Sequence, residues 1–398
     1  MSDNYLGIQS KKLVEYGGYN TAKEIESQPR LWVSTILKIK SESAEIKKFL
    51  DPIFEQKDLT IIFTGAGSSA FIGNVLEAPF QFNTGIQCKS IPTTTLVTHP
   101  EYYILKDKPT LLISFARSGD SPESIKTIEV VNKVSQNVYH LIISCNPDGQ
   151  ISKIFDDGRV FHFTLPEGTN DKSLVMTSSF TSMLLAGLVI SRLDDLTKDI
   201  EAVSILSRVG KEFINTNYSK IEEIAEMDFE RAVFLGSGYF EGIAQESHLK
   251  LQELTDGEVI CKFDSFLGFR HGPKAVLNKR TLVIGFFSRN KYANKYENDL
   301  IETINSGKNV LHLAGVMVSK SNTLKNKNID TSIIINEDAL LIPEEYLSVL
   351  YVLTAQILGF YKAIQFDLQP DNPSKRGEIS RVVQGVKLYP YTNEALEV

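Results

Sequence analysis

Cysteine is scarce in this 398-residue chain: Cys88, Cys145 and Cys261 are odd in number and far apart, which excludes a disulfide framework and a zinc-binding spacing. A reducing, cytoplasmic setting is therefore expected. Long apolar runs are missing as well. The longest, Met183 to Ile190, is too short to span a bilayer, and the first residues, "MSDNYLGIQSKK", have no apolar signal core. No excess of positive charge is present: the net charge is −7 and the pI is near 5.6, which argues against a nucleic-acid surface. Two nucleotide signatures also fail. No Gly-Lys-Ser/Thr follows a glycine loop, and the third glycine of a dinucleotide fingerprint is replaced by Ala70 in one loop and Glu241 in another. What remains, 42% hydrophobic and 23% charged residues, is an ordinary globular balance.

The chain is a doubled unit. "IIFTGAGSSAFIGNVLE" from Ile61 and "AVFLGSGYFEGIAQESHLK" from Ala232 are both strand, glycine turn and helix, and their first glycines lie 171 residues apart (236 − 65). Further strands repeat near that offset: "TLLISFARSGD" with "TLVIGFFSRNK", "VYHLIIS" with "VLHLAGV", and "VFHFTLP" with "SIIINED". Each half closes on an apolar helical stretch, "SLVMTSSFTSMLLAGLVISRL" or "YLSVLYVLTAQILGFYKAI". Continuous apolar strands alternating with helices predict two tandem doubly wound α/β domains with parallel sheets. The expected division is a helical segment over 1–50, domains over 51–205 and 206–366, and a tail over 367–398.

Ligands of such sheets sit at the carboxyl ends of the strands. There the first half carries Gly65-Ala66-Gly67-Ser68-Ser69 and Arg117-Ser118-Gly119-Asp120-Ser121, each opening a helix. Serine and aspartate at a helix start are ordinary caps. Two hydroxyl-rich loops on one sheet edge point instead to a bound phosphate, held by backbone N–H groups and hydroxyls. With nucleotide motifs absent, the ligand class is a sugar phosphate. The second half has lost the hydroxyl loop and reads Ser288-Arg289-Asn290-Lys291. Its helix carries Glu246, Lys250 and Glu253 at helical spacing, for which a surface ion pair is the plain reading. "RHGP" sets His271 in a stiff loop, whereas the other five histidines read as structural.

These pieces resemble the sugar isomerase (SIS) superfamily. "TGAGSSAFIG", "SFARSGDSPES", "MTSSFTSMLLAG", "SHLKLQELTDG" and "FRHGP" carry the likeness, which runs from Glu24 to Asp371. The architecture is similar to the isomerase half of glucosamine-6-phosphate synthase. The group that it most resembles is the tagatose-6-phosphate ketose/aldose isomerases and galactosamine-6-phosphate deaminases. The resemblance implies two flavodoxin-like αβα SIS domains. It implies that Ser68, Ser69, Arg117, Ser118, Gly119 and Ser121 bind the substrate phosphate, Arg117 standing where the synthases have glutamine. Glu253 matches the proton-shuttling glutamate, Lys250 its neighbouring lysine, and His271 the ring-opening histidine that reaches in from another subunit. A homo-oligomer, a dimer or dimer of dimers, is thus implied. The synthase's tail lysine has no clear counterpart; Arg381 or Lys375 comes near only with a gap.

One carboxylate placed over C1 and C2 can move a proton between them, without metal or other cofactor. The synthase joins this chemistry to a glutaminase unit, which a sequence beginning Met1-Ser2 is not expected to contain. The expectation is therefore a deaminase that turns galactosamine 6-phosphate into tagatose 6-phosphate and ammonia. A plain ketose/aldose isomerase and a non-catalytic sugar-phosphate sensor are the alternatives. A sensor acting on DNA would need a basic helical domain, and a protein-binding one could discard Glu253 and His271.

Overall fold

A computed structural model of the chain describes residues 4–154, 158–319, 328–383 and 385–392. It opens with an antiparallel hairpin, β1 (Asn4–Tyr5) and β2 (Ile8–Gln9), then the helices α1 (Ser10–Glu15), α2 (Tyr19–Ser41) and α3 (Ser43–Phe54). The first half follows as β3 (Thr60–Thr64), α4 (Ser68–Thr84), β4 (Gln87–Ser90), α5 (Thr93–Thr98), β5 (Thr110–Ala116), α6 (Pro122–Val134), β6 (Val138–Ser144), β7 (Val160–Thr164) and α7 (Ser178–Ile190). The long helix α8 (Leu196–Ala225) leads into the second half: β8 (Arg231–Gly236), α9 (Phe240–Leu254), β9 (Ile260–Asp264), β10 (Thr281–Phe286), α10 (Lys291–Gly307), β11 (His312–Val318), β12 (Thr331–Ile335) and α11 (Leu347–Gln365).

Each half forms a five-stranded parallel sheet, in the orders β4-β3-β5-β6-β7 and β9-β8-β10-β11-β12. Both are the doubly wound 2-1-3-4-5 order, whose switch point lies between the first and third strands of the half. The expected α/β tandem is therefore present. The sequence reading paired four strands per half and missed β4 and β9. Both are edge strands with half-exposed, partly polar residues, so they lack the continuous apolar signal of buried strands.

The two halves share one core. Phe63 and Phe115 stack in the first sheet, Phe234 and Phe286 in the second, and all four belong to the same buried cluster. Helix α2 ties the halves together: buried Gln28 donates to Gln356 of α11 at 2.7 Å and accepts from Thr181 of α7 at 2.7 Å, while Trp32 donates to the same threonine at 3.0 Å. The expected division at 50/51 falls inside α3, and that at 205/206 inside α8, where Val203 and Leu206 both point into the core. The segment Glu344–Gln365, which the sequence reading took as the apolar helix closing the second half, is long and apolar enough to cross a membrane by length and composition. Residues 347–363 are all buried, so its hydrophobicity serves the protein interior.

Candidate active site

At the carboxyl end of β3 the chain turns through Gly65-Ala66-Gly67. Gly67 has φ +56°, and a Cβ on Gly65 would fall 2.5 Å from the Ser69 carbonyl carbon, so both need glycine. Ser68 and Ser69 then form the buried first turn of α4. On the neighbouring β5, Arg117–Ser121 leads into α6, and the loop is held from behind. Asn146 donates to the Ser118 carbonyl at 2.8 Å, and Ile151 N–H to the Gly119 carbonyl at 2.9 Å. Neither Ser121 nor any other side chain caps the first turn of α6, and no side chain caps α4. The capping role open to these hydroxyls is thus not taken. Two helix N-termini face the switch point with their N–H groups toward an anion position.

The duplicate position in the second half is filled from within. Ser288 N–H donates to Glu297 at 3.1 Å, Ser288 hydroxyl to Glu344 at 2.8 Å, and Arg289 N–H to Glu344 as well. Burial pushes the Glu297 carboxyl up to about 7. The cradle that in one half is lined by hydroxyls is, in the other, occupied by the chain's own carboxylates. Among the described residues no carboxylate side chain bonds to Ser118, Gly119 or Ser121.

Facing the first half's loops is α9. Glu246, Lys250 and Glu253 form a stripe on one side of it, and the expected surface ion pair is instead buried. Lys250 is 1% exposed and Glu246 0%, while Glu253 is 24% exposed at the open end. The Lys250 ammonium donates to Glu253 Oε2 at 2.5 Å and lies 3.5 Å from Glu246 Oε1. Burial alone would lower the lysine's pKa, but the two carboxylates outweigh it and hold the ammonium charged. Burial pushes Glu246 up to about 8, against the pull of Lys250 and the Ser68 hydroxyl. Ser68 is near enough to bias this carboxyl, so the start of α4 lies beside the carboxylate stripe. The helices are close enough for this because Gly242 of α9 lies against α4: a Cβ there would stand 2.9 Å from Val75 N. Asn74 of α4 also donates to Gln245 of α9 at 2.5 Å.

Arg117 sits within electrostatic range of Glu253 and Asp171, although burial first lowers its pKa. Its guanidinium is spent on carbonyls, donating to Leu174 at 2.8 Å, Ser173 at 3.3 Å and Arg381. Its side chain is therefore not an open phosphate ligand, and an anion would meet the neighbouring serines. The tail residues differ in role. Lys375 is exposed and donates its peptide N–H to Asp256 at 3.1 Å; Arg381 donates from Nε to the Asp171 carbonyl at 2.8 Å. His271 stands apart. It is exposed beyond β9, after the turn Gly268–Arg270, and its peptide N–H donates to the Gly268 carbonyl at 2.9 Å.

Sequence reasoning set Glu246 at i, i+4, i+7 spacing with Lys250 and Glu253 but left it out of the candidate site residues. It also passed over Glu24 and Asp171, which brace the loop before α7. Asp171 accepts from Thr177, Ser178 and Ser179, while Glu24 accepts from Lys172 N–H at 2.6 Å and Ser173 hydroxyl at 2.5 Å. Burial and the nearby Asp171 charge push Glu24 up to about 8.

Tandem five-stranded parallel sheets with hydroxyl-rich loops at one switch point fit the SIS class, and residues 53–191 match the SIS domain family. Similarity extends over the whole chain. The D-galactosamine-6-phosphate deaminase AgaS of Shewanella sp. (strain ANA-3) is 38% identical over 98% of this chain and 96% of its own length. A crystal structure from Clostridium novyi NT superposes with TM-score 0.93 at 37% identity, covering 98% of this chain and all of that one. The tagatose-6-phosphate ketose/aldose isomerase from Escherichia coli does so with TM-score 0.86 at 30% identity, covering 94% and 97%. The chain belongs to the AgaS family of SIS-domain enzymes.

Proposed function

We propose that the chain deaminates galactosamine 6-phosphate to tagatose 6-phosphate and ammonia. The observation that carries this is the buried Glu246–Lys250–Glu253 stripe set against Ser68 of an anion cradle. Phosphate at Ser68, Ser69, Ser118, Gly119 and Ser121 would hold the sugar by its far end, leaving C1 and C2 toward α9. Glu253, the exposed end of the stripe, takes the proton from C2 of the open-chain amino aldehyde and returns it to C1. One amine proton passes to the C1 oxygen, so the product is a 1-hydroxy imine at C2, and water replaces its nitrogen to release ammonia and the ketose. Lys250 is the positioning group: fixed between two carboxylates, it orients Glu253. Exposed His271 would open the sugar ring in the site of a neighbouring copy, which makes the enzyme a homo-oligomer. Three free cysteines suit a cytoplasmic setting.

The likeness to a tagatose-6-phosphate ketose/aldose isomerase favours a second reading, in which C2 carries a hydroxyl and no nitrogen is lost. Ammonia and ketose should be assayed on one sample given galactosamine 6-phosphate. Equal amounts of both support the deaminase. Ketose from an aldose phosphate, with no ammonia from any hexosamine phosphate, leaves the plain isomerase. Unphosphorylated galactosamine should react poorly, because the cradle lacks its anion.

A further inference from the structure

The C-terminal segment runs from one side of the site to the other. Asp371 anchors its start at α2, accepting from Asn20 N–H at 3.0 Å and Thr21 N–H at 2.7 Å. Lys375 then bonds to Asp256, just past Glu253 at the end of α9. Arg381 reaches the first half, where Nε meets the Asp171 carbonyl and Nη2 meets Asn170 Oδ1 at 2.6 Å. Its own carbonyl accepts from Arg117, which stands next to Ser118 in the anion loop.

The two guanidiniums share an unusual setting. Each is held by carbonyl oxygens, and among the described residues neither forms a salt bridge. Asp171, the close carboxylate, is committed to the start of α7 through Thr177, Ser178 and Ser179. Arg117 is 8% exposed; Asp171 and Glu253 attract its charge from a distance, while Arg381 beside it repels it. Neither guanidinium is in hydrogen-bond contact with a carboxylate, so an anion brought next to Arg117 would add a direct counter-charge.

We propose that Arg117 is a positioning residue that clasps the segment from Asp371 to Val383 across the site, and that an anion in the Ser118 loop completes the clasp. The second half of this rests on the phosphate reading of the loop. The substrate phosphate then does more than anchor the sugar: it adds a counter-charge beside Arg117 and holds the strap down while the imine forms.

The test is limited trypsin cleavage after exposed Arg376 in the full chain, with and without inorganic phosphate. Wild type should be cut slowly, and more slowly with phosphate. Arg117→Gln removes hydrogen bonds from a charged donor, so strap opening and cleavage should rise at least ~10-fold. Phosphate should give that variant no protection, and its KM should rise more than its kcat falls. Ser118→Ala keeps the clasp, so it should be cut slowly without ligand yet lose protection by phosphate. Arg381→Gln, altered in the strap itself, repeats the ligand-free comparison should Arg117→Gln misfold. Cleavage of both arginine variants at the wild-type rate overturns the clasp. Phosphate that causes no thermal shift in wild type overturns the phosphate reading alone, since the ligand-free rates still decide the clasp. Phosphate that binds wild type without slowing cleavage removes the coupling.

Discussion

A proton shuttle needs one carboxylate free to move a proton and a partner that holds it in place. Glu253 meets both conditions, being partly exposed and bonded to buried Lys250. Glu253→Gln keeps the shape but accepts no proton. Turnover should fall roughly 100- to 10,000-fold while sugar-phosphate binding persists, as read by steady-state kinetics beside calorimetry. Lys250→Met instead leaves Glu246 buried without its cation. Breaking a buried pair this way costs about 3–5 kcal/mol, so denaturant melts should show a large loss of stability as well as of activity. A Lys250→Met protein as stable as wild type would mean that the stripe is not a coupled unit. In the cradle, Ser69→Ala with Ser118→Ala should raise KM, since each hydrogen bond to a charged group is worth about 1.5–3 kcal/mol.

Elements decide whether these residues meet. Helix α9 approaches α4 through Gly242, where even a methyl group would meet the Val75 backbone. Gly242→Val should overpack the contact, cost about 1–3 kcal/mol, and separate Glu253 from the Ser68 loop. Activity should therefore fall further than the melting temperature suggests. Helix α2 contributes through Glu24, buried under the loop before α7. Its carboxyl lies at about 8 in the fold, against an ordinary 4.5. Between those values the folded chain keeps a proton that the unfolded chain has lost. The stability that this group contributes is thus complete below about pH 4.5 and disappears as pH rises toward 8. The melting temperature of wild type relative to Glu24→Gln should be most favourable near pH 5 and decline steadily to pH 8. A difference that is flat across that range would show that Glu24 is ionised in the fold.

At the scale of the molecule, His271 poses the main question, because the fold leaves it exposed and outside the Lys250–Glu253 cluster of its own chain. Glu253→Gln and His271→Ala should each be nearly inactive. Mixed and reassembled from unfolded chains, they should recover about a quarter of wild-type activity, since half of the randomly paired dimers carry one intact site. No recovery on mixing, with dimers confirmed by light scattering, would place His271 in its own chain's site.

The doubled α/β architecture was legible because buried parallel strands are continuously apolar and repeat at a nearly constant offset. The anion cradle was legible because Gly65, Gly67 and the serines around them state both the turn and its chemistry locally. Helical spacing likewise placed Glu246, Lys250 and Glu253 on one face, but it could not say whether that face meets water or another helix. Burial of the stripe is a property of α4 lying against Gly242, so the surface reading failed there. The same holds for Arg117, whose guanidinium turns to carbonyls 56, 57 and 264 residues away along the chain. Edge strands β4 and β9 were missed because exposure on one side erases the pattern. Local chemistry and periodicity determined the fold class and the candidate residues; which charges are buried and which are paired depends on contacts distant in sequence, and only the tertiary structure decided it.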